Sequence, residues 1–217
     1  MNYFLRTNFD GDGNLGLHGF ATDKYCLLGN MRYEEKVKEI IKVKIHHQII
    51  LEMDLVRIFC TGNSFGVVAP KLIENFDDSM QTLGKNIPVK LLNTKYSSVG
   101  NLLLVNDHGI IISPLLKKHR GELENFFGLP SEITTIAGLN IVGTAGFVTN
   151  RGCVAHPNLK DKEKRILEKI LNVTVDIGTV NFGSPYPGAG IIGNSNGFVV
   201  SPVCSGPELG RITDVLG

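Results

Sequence analysis

The glycine-rich segment Gly188-Ala189-Gly190-Ile191-Ile192-Gly193 is the best candidate in the sequence for a cofactor-binding motif, because it matches GxGxxG. In a dinucleotide-binding protein this pattern follows a strand and opens a helix, so that the helix N-terminus can bind a pyrophosphate. Pro185 and Pro187 disfavour a central strand before the segment, and Asn194 to Gly197 predicts a turn after it. We therefore interpret these glycines as structural and expect no cofactor.

Two other patterns have some of the residues that a metal site needs. Asp10-Gly11-Asp12-Gly13-Asn14 begins like a calcium-binding loop, with side-chain oxygens at its first, third and fifth positions. Its sixth position is Leu15 instead of glycine, and its twelfth is Ala21 instead of a bidentate glutamate. His46 and His47 are adjacent in a stretch expected to be extended, so their side chains should point to opposite faces. The sequence predicts no metal site.

Nucleophilic catalysis by a cysteine is the more serious alternative. Cys204 lies late in the chain, and His108 and His156 lie in earlier turns with carboxylates nearby. A thiol needs an adjacent base that is itself oriented by an acid, and one sequence does not show that these residues meet. Cys26 and Cys153 occupy apolar runs, and free cysteine is often fully buried. We expect no enzyme and no catalytic residues, with Cys204 kept as the alternative nucleophile.

The composition is that of a globular protein without a strong charge. The 217 residues include 42% hydrophobic and 20% charged residues, and the formal net charge is +1. This balance argues against a DNA-binding protein or any nucleic-acid binder that relies on a large basic field. The four cysteines form no CxxC pair, the N-terminus is charged, and the longest uncharged stretch is broken by glycine and proline. These features predict a cytoplasmic protein that does not bind a membrane.

Two stretches are locally basic, Lys117-Lys118-His119-Arg120 and Lys160 to Lys169. Most such runs are solvated helix faces. A contact with RNA gains weight only for a protein whose partner already contains RNA.

An internal repeat positions all of these residues. Four segments run from an asparagine-containing turn through an apolar stretch to a proline, and the four prolines are 43 to 45 residues apart. A second marker, usually an apolar residue followed by glycine, recurs in phase with the first. Its central positions are Gly16, Arg57, Gly100, Gly143 and Gly188. The two markers agree on five units of about 44 residues, of which the first is degenerate.

Each unit is predicted to contain a strand, a strand, a helix and a strand. Asn and Gly in the turns are expected to supply the positive φ angles of a hairpin, and apolar residues at helical spacing follow, such as Val37, Ile40 and Ile41. The chain stops directly after the fifth helix, so residues 1–13 are expected to supply the last strand. The predicted fold is one α/β domain, with five pseudo-symmetric units closed into a ring like a five-bladed propeller. The units are 14–54, 55–97, 98–140, 141–185 and 186–217, the last closed by 1–13.

The same motifs make a resemblance to a known family. Val99 to Gly109, Thr149 to Pro157 and Ser205 to Leu209 resemble the archaeal form of the translation initiation factor 6 family, in the same order and at the same pitch. The resemblance covers essentially the whole chain. It implies the pentein fold, which consists of five pseudo-symmetric α/β units around an axis.

The resemblance also implies a function. Members of the family bind the large ribosomal subunit beside the sarcin-ricin loop, through ribosomal proteins and some rRNA, and block association with the small subunit by steric occlusion. Similar factors also act in maturation of the large subunit, and a dedicated GTPase and its cofactor release them. We expect a monomer with this activity. The alternative is a guanidine-modifying enzyme of the same fold, resembling arginine deiminases, with Cys204 as nucleophile.

The candidate ribosome-binding residues lie at the second marker. By resemblance Gly100 and Asn101 match best and Gly16 follows, and pseudo-symmetry adds the remaining marker positions. These are Arg57, Gly143, Thr144 and Gly188. The turns that carry them should gather at one end of the ring. The alternative is that glycine serves there only for its backbone angles or for close packing. Arg57 stands where the family usually has glycine, and the long loop Asn8 to Asn14 is another departure.

Overall fold

The strands and helices are short throughout the chain. A computed structural model describes residues 3–32, 34–71 and 87–217, and these contain fifteen strands. The strands are β1 Phe4–Arg6, β2 Gly19–Ala21, β3 Tyr25–Leu28, β4 Lys44–His47, β5 Thr61–Asn63, β6 Gly66–Pro70, β7 Val89–Leu92, β8 Leu103–Val105, β9 Ile110–Ile112, β10 Ser131–Ile133, β11 Gly146–Val148, β12 Gly152–Ala155, β13 Thr174–Ile177, β14 Ile191–Asn194 and β15 Gly197–Val200.

The helices fall into two groups. The longer group contains Glu34–Ile41, Arg120–Phe127, Asp161–Leu171 and Gly206–Leu216, with the 3-10 helix Pro114–His119 preceding the second of them. The other group consists of five helices of one turn each: Leu15–Leu17, Val56–Phe59, Val99–Leu102, Val142–Ala145 and Pro187–Gly190. No helix in the described part of the chain has the length and apolarity needed to cross a membrane.

The strands form five separate three-stranded sheets with one common design. The sheets are β2-β3-β4, β5-β6-β7, β8-β9-β10, β11-β12-β13 and β14-β15-β1. In each sheet the first two strands form an antiparallel hairpin, and the third lies parallel to the middle strand. The third strand of the last sheet comes from the N-terminus, where Phe4 pairs with Phe198 and Arg6 with Val200.

The predicted α/β class is confirmed. A parallel third strand requires a crossover, and a helix provides it in the first, third and fourth sheets, as the predicted order of elements requires. The helix predicted for the second unit falls between residues 71 and 87 and lies outside the described residues. Among the described residues no sheet closes on itself, so the units are not joined by one continuous sheet.

Five hydrophobic cores lie between successive sheets, and each middle strand contributes to two of them. In β6, Val67 and Ala69 enter one core, while Val68 enters the next. Successive side chains of a strand point to opposite faces, so a strand that is buried on both faces reads as an unbroken apolar run. The fifth core joins the last sheet to the first, because it contains Val199 of β15 and Cys26 of β3.

The turn asparagines and glycines do not serve the purpose that the sequence predicts. None of the asparagines or glycines in the four predicted hairpin turns has a positive φ, so the expectation of positive φ angles is wrong. Asn106 Oδ1 instead accepts hydrogen bonds from the N–H groups of His108 and Gly109, and thereby fixes the turn with its side chain. Gly109 lacks a side chain for a different reason, since a Cβ atom there would overlap the carbonyl oxygen of Ile170 in the next unit.

Candidate functional site

The five marker positions lie on the five one-turn helices, which we call the short-helix cluster. The sequence predicts turns at these positions, and the structure corrects this to helical turns of three or four residues. Each helix leads directly into the first strand of a sheet, or does so after one residue in the first two units. Leu15–Leu17 contacts Val56–Phe59, and the contacts continue through Val99–Leu102 and Val142–Ala145 to Pro187–Gly190, which contacts Leu15–Leu17 again.

Close approach of the backbones explains the glycines of the short-helix cluster. A Cβ atom at Gly16 would lie 2.6 Å from the carbonyl oxygen of Gly188. A Cβ atom at Gly188 would overlap the carbonyl of Gly143, one at Gly143 would overlap that of Gly100, and one at Gly100 would overlap that of Arg57. None of these glycines has a positive φ. Of the two structural explanations that the sequence leaves open, close packing therefore fits these glycines, and backbone angles do not.

Arg57 stands at the second marker position, where the other four units have glycine, and its side chain reaches across the cluster. The Val56–Phe59 helix still forms. The guanidinium donates to Thr61 Oγ1, and Nη2 lies 3.3 Å from the carbonyl oxygen of Gly143, two units away. Its carbon lies 6.0 Å from the centre of the Phe20 ring. Burial lowers the pKa of Arg57 to about 10, so the group remains charged at neutral pH and places a cation inside the cluster.

Asn101 and Thr144 supply the polar side chains of the cluster. Both are partly exposed, whereas Gly100 and Gly143, which precede them, are buried. The Thr144 hydroxyl donates to Asn101 Oδ1 over 2.9 Å, and this bond connects the third short helix to the fourth. Asn101 keeps its amide NH₂ group for other partners, since no hydrogen bond from Nδ2 occurs within the described residues. The two side chains can therefore donate and accept hydrogen bonds at the surface.

Two buried carboxylates hold the loops that lead into the cluster. Glu163 accepts hydrogen bonds from Thr135 Oγ1 and from the N–H groups of Ala137, Gly138 and Lys160. Burial acts to raise the pKa of Glu163, but these four donors lower it overall. The sequence predicts a solvated face for residues 160–169, but Glu163 departs from it because this residue is only 6% exposed.

Glu208 has the equivalent role in the last unit. It accepts from Thr179 Oγ1, from the N–H groups of Phe182 and Gly183, and from Ser205 at the start of its own helix. Here too hydrogen bonds outweigh burial and lower the pKa. The sequence signal was available, because Ser205 and Glu208 have the spacing of a capping box, and the structure contains that box.

The Asp10 to Asn14 segment forms a turn instead of a cation loop. Phe9 bridges to Asp12, and Asp12 Oδ1 accepts from the Asn14 N–H over 2.8 Å. Asp12 Oδ2 lies 3.0 Å from His18 Nε2, and the His18 ring stacks on Phe9. Burial acts to raise the pKa of Asp12, but bonds from His18 and Asn14 lower it overall. The described residues contain no group of three or more His, Cys, Asp or Glu side chains that could hold a metal ion.

The two histidines at 46 and 47 contact different groups, as the extended backbone predicts. His47 Nε2 lies 2.6 Å from a Glu34 carboxylate oxygen. His46 lines a separate cavity with Lys24 and Lys44.

The GxGxxG segment lacks the context of a nucleotide site. A short helix, Pro187–Gly190, comes before the strand Ile191–Asn194, which is the reverse of the order that dinucleotide binding requires. Its glycines pack against neighbours, since Cβ atoms at Gly190 and Gly193 would lie under 3 Å from Val180 and Phe198. The structural interpretation of these glycines is confirmed.

Cys204 does not have the surroundings of a nucleophile. It is 1% exposed, and its sulfur accepts a hydrogen bond from the Asn181 N–H at 3.2 Å. Burial raises its pKa, as it raises the pKa of Cys60 and Cys153 to about 12. A catalytic thiol needs the opposite shift. Of the proposed bases, His108 is exposed in a turn, while His156 Nδ1 accepts from the Asn158 N–H. The geometry therefore gives the enzyme hypothesis no support.

The hairpin turns at the other end of the first strands form a second cluster, which we call the turn network. Asn106 Nδ2 donates to the carbonyls of Thr149 and Leu171, and Asn194 Nδ2 donates to those of Thr22 and Ile41. Further bonds join the network, and each connects one unit to another. They include Asn63 Nδ2 to the Asn106 carbonyl, and Asn150 Nδ2 to both Asp23 and Asp107. The sequence predicts these turns but not the bonds between them, although the recurrence of asparagine at the repeat spacing is their signal.

Comparison with known proteins shows similarity to a single family. The eIF-6 family matches residues 4–215 of the chain. Translation initiation factor 6 of Pyrococcus abyssi is 34% identical, over 98% of this chain and 97% of the relative. The protein of the same name from Methanocaldococcus jannaschii is 34% identical over 100% of this chain and 99% of the relative. That from Saccharolobus islandicus is 31% identical over 98% of both chains. The similarity thus extends over nearly the whole length of these relatives.

Proposed function

The chain belongs to the eIF-6 family, and from this membership we propose that it is a translation initiation factor that binds the large ribosomal subunit and prevents its association with the small subunit. The observation that carries the proposal is the similarity to archaeal proteins named Translation initiation factor 6 over nearly their full length.

We propose the short-helix cluster as the ribosome-binding surface. The candidate contact residues in this cluster are Gly16, Arg57, Gly100, Asn101, Gly143, Thr144 and Gly188. Asn101 and Thr144 offer hydrogen-bonding groups at the surface, and the glycines hold the five helices close enough to form one continuous patch. The proposed partners are ribosomal proteins beside the sarcin-ricin loop, together with some rRNA. A net charge of +1 suits a partner surface that is partly protein.

The proposed mechanism is steric occlusion. A standard interface of about 800 Å² per partner suffices for stable binding. A body whose units share buried cores loses little conformational entropy when it binds, because it is already ordered. No bond is made or broken in this mechanism, so the factor needs neither a cofactor nor a catalytic residue.

The proposal extends to the architecture and the life cycle of the factor. We propose that the five units form a closed pentein ring in a single monomeric domain, with the unit boundaries expected from the sequence. The cyclic contacts of the short-helix cluster support a ring. We also propose a cytoplasmic location, release by a GTPase and its cofactor, and a role in large-subunit maturation.

Co-sedimentation with purified subunits tests the function. We expect the protein to pellet with isolated large subunits but not with small subunits, and to keep large subunits free when small subunits are added. If the protein stays in the supernatant at low and moderate salt and subunit joining is unchanged, the proposed function is wrong.

A further inference from the structure

A groove lies beside the short-helix cluster, between the loop 93–98 and the 3-10 helix Pro114–His119. Its volume is about 410 Å³. Lys95 and Tyr96 line one side, and Leu115, Lys117 and Lys118 line the other. The three lysines are exposed, and the Lys95 ammonium lies 5.3 Å from the centre of the Tyr96 ring. Tyr96 is partly exposed and also packs against a hydrophobic core, so the groove combines cations with the exposed part of an aromatic ring.

The groove lies at the one loop, of five equivalent loops, that departs from a common pattern. The loops that lead into the other four short helices each contain an isolated bridge: Phe9 with Asp12, Ile50 with Met53, Ile136 with Leu139, and Val180 with Ser184. The loop 93–98 has no such bridge. No carboxylate among the described residues bonds this loop, whereas Glu163 bonds the loop one unit further along.

Two acidic residues on the helix Arg120–Phe127, which follows the groove in the chain, are already ion-paired. Glu122 lies 2.7 Å from Lys90 Nζ and 3.0 Å from His119 Nδ1, and the hydrogen bonds from these two groups lower its pKa. Glu124 pairs with Arg120 at 3.0 Å. Within the described residues, none of the three groove lysines has a carboxylate within 4 Å. Their positive charge is therefore free to attract an anionic ligand.

Both walls of the groove attach to the helix that carries Asn101. The Asn101 N–H donates to the Ser98 carbonyl at the end of the loop, over 3.1 Å. The Ser113 N–H, just before the 3-10 helix, donates to the Leu102 carbonyl over 2.9 Å. A ligand in the groove thus lies next to the proposed ribosome-binding surface, and the two can be occupied by one partner.

We propose that this groove binds a segment of ribosomal RNA, with Lys95, Lys117 and Lys118 on its phosphates and Tyr96 available to stack on a base. This inference rests on the proposed function, which supplies a partner made partly of RNA. Cationic grooves lined by an aromatic ring are how proteins bind single-stranded nucleic acid without base-specific contacts. An acidic protein segment would use the lysines but would not need the ring, so RNA is the ligand that uses both features.

The salt dependence of binding tests the inference. The variant Lys117→Ala/Lys118→Ala removes two exposed charges from the groove. The matched control, Lys162→Ala/Lys169→Ala, removes two exposed lysines from the helix Asp161–Leu171. Affinity for isolated large subunits is measured by co-sedimentation from 50 to 200 mM salt. A second assay measures binding of each variant to a fluorescent single-stranded RNA oligonucleotide at low salt.

Each lysine–phosphate contact to single-stranded RNA contributes about 0.7 to the slope of log affinity against log salt. We expect the groove variant to have a slope shallower by about 1.4, so that its affinity falls about sevenfold less than that of the wild type over this range. The control should behave like the wild type, and the oligonucleotide should bind more weakly to the groove variant alone.

An unchanged slope, or equal loss in the two double variants, would overturn the groove proposal and leave the proposed function standing. A groove variant that loses large-subunit affinity but binds the oligonucleotide as the wild type does would assign the lysines to a protein contact. If the wild type fails to pellet with large subunits, the proposed function is wrong. The oligonucleotide assay then still decides whether the groove binds RNA.

Discussion

The short-helix cluster and the turn network lie at opposite ends of the same five strands and join the units in different ways. In the short-helix cluster, backbone meets backbone, and the glycines are required because a Cβ atom would overlap a neighbouring carbonyl. In the turn network, asparagine side chains bridge from one unit to the next, and Asn106 and Asn194 are buried with all their amide groups bonded. One end is thus joined mainly by close contact between backbones, and the other mainly by side-chain hydrogen bonds.

This difference predicts separate roles for the two ends: the turn network stabilises the fold, and the short-helix cluster binds a partner. Asn106 and Asn194 of the turn network are buried, so their side chains are not accessible to a partner. The short-helix cluster uses glycines for its internal contacts, which leaves Asn101, Thr144 and the adjoining loops to face outward. We therefore expect substitutions in the turn network to change folding alone, while those on the outer side of the cluster change binding.

Gly143→Ala should have the largest effect on stability. The new methyl group would overlap the carbonyl oxygens of Gly100 and Leu103, and a backbone cannot move aside as a side chain can. We expect a loss of about 3 kcal/mol in the free energy of unfolding, measured with urea. Gly121→Ala is the control, since its Cβ would meet nothing within 4 Å, and it should gain about 0.5 to 1 kcal/mol. Equal stability of Gly143→Ala and the wild type would refute the close-approach explanation.

Asn106→Ala tests the turn network. It leaves the carbonyls of Thr149 and Leu171 and two turn N–H groups without their partner in a buried site. We expect a loss of about 2 to 3 kcal/mol. Asn140→Ala, at an exposed loop position, should stay within about 0.5 kcal/mol of the wild type. If Asn106→Ala lowers the free energy of unfolding no more than Asn140→Ala does, the hydrogen bonds between units contribute little to stability.

Acid should weaken the attachment of two of the loops that lead into the short-helix cluster. Glu163 and Glu208 have a lowered pKa in the folded protein, so their stabilising effect is present above the unfolded value, near 4.5, and is lost as the pH falls through the folded value. Glu163→Gln should therefore lose about 1 kcal/mol at pH 7 and show a weaker decline in stability below pH 5. The exposed control Glu52→Gln should follow the wild-type pH profile. Parallel profiles for Glu163→Gln and the wild type would contradict this.

Thr144→Ala should have the smallest effect on stability. It removes one partly exposed hydrogen bond to Asn101, for a loss of about 0.5 to 1 kcal/mol. Thr144→Ser keeps the hydroxyl and should restore most of the difference in the same urea titration. A loss as large as that of Gly143→Ala would show that the outer side chains hold the cluster together, and would contradict the separate roles expected for backbone contacts and outer side chains.

The sequence predicts the fold better than it predicts the site, for a physical reason. The α/β class and the hairpins depend on local patterns, such as the apolar run Ile110-Ile111-Ile112 next to an asparagine turn. The role of Gly143 depends on how near Gly100 comes from 43 residues away, and no local pattern contains that distance. Arg57 is similar, since its cation reaches Gly143 in a different unit. The sequence does not distinguish Glu163, because it lies within a run whose other charged residues are at least partly exposed.

Large-subunit binding by a matched pair of variants decides whether the short-helix cluster is the ribosome-binding surface. Asn101→Glu places a negative charge on the outer side of the short-helix cluster, and His108→Glu places one at an exposed position of the turn network. In co-sedimentation with isolated large subunits we predict a loss of affinity of about 100-fold for Asn101→Glu, as for a substitution at the centre of an interface. We predict wild-type affinity for His108→Glu. Equal affinities for the two variants, or weaker binding by His108→Glu, would contradict the assignment of the short-helix cluster as the ribosome-binding surface.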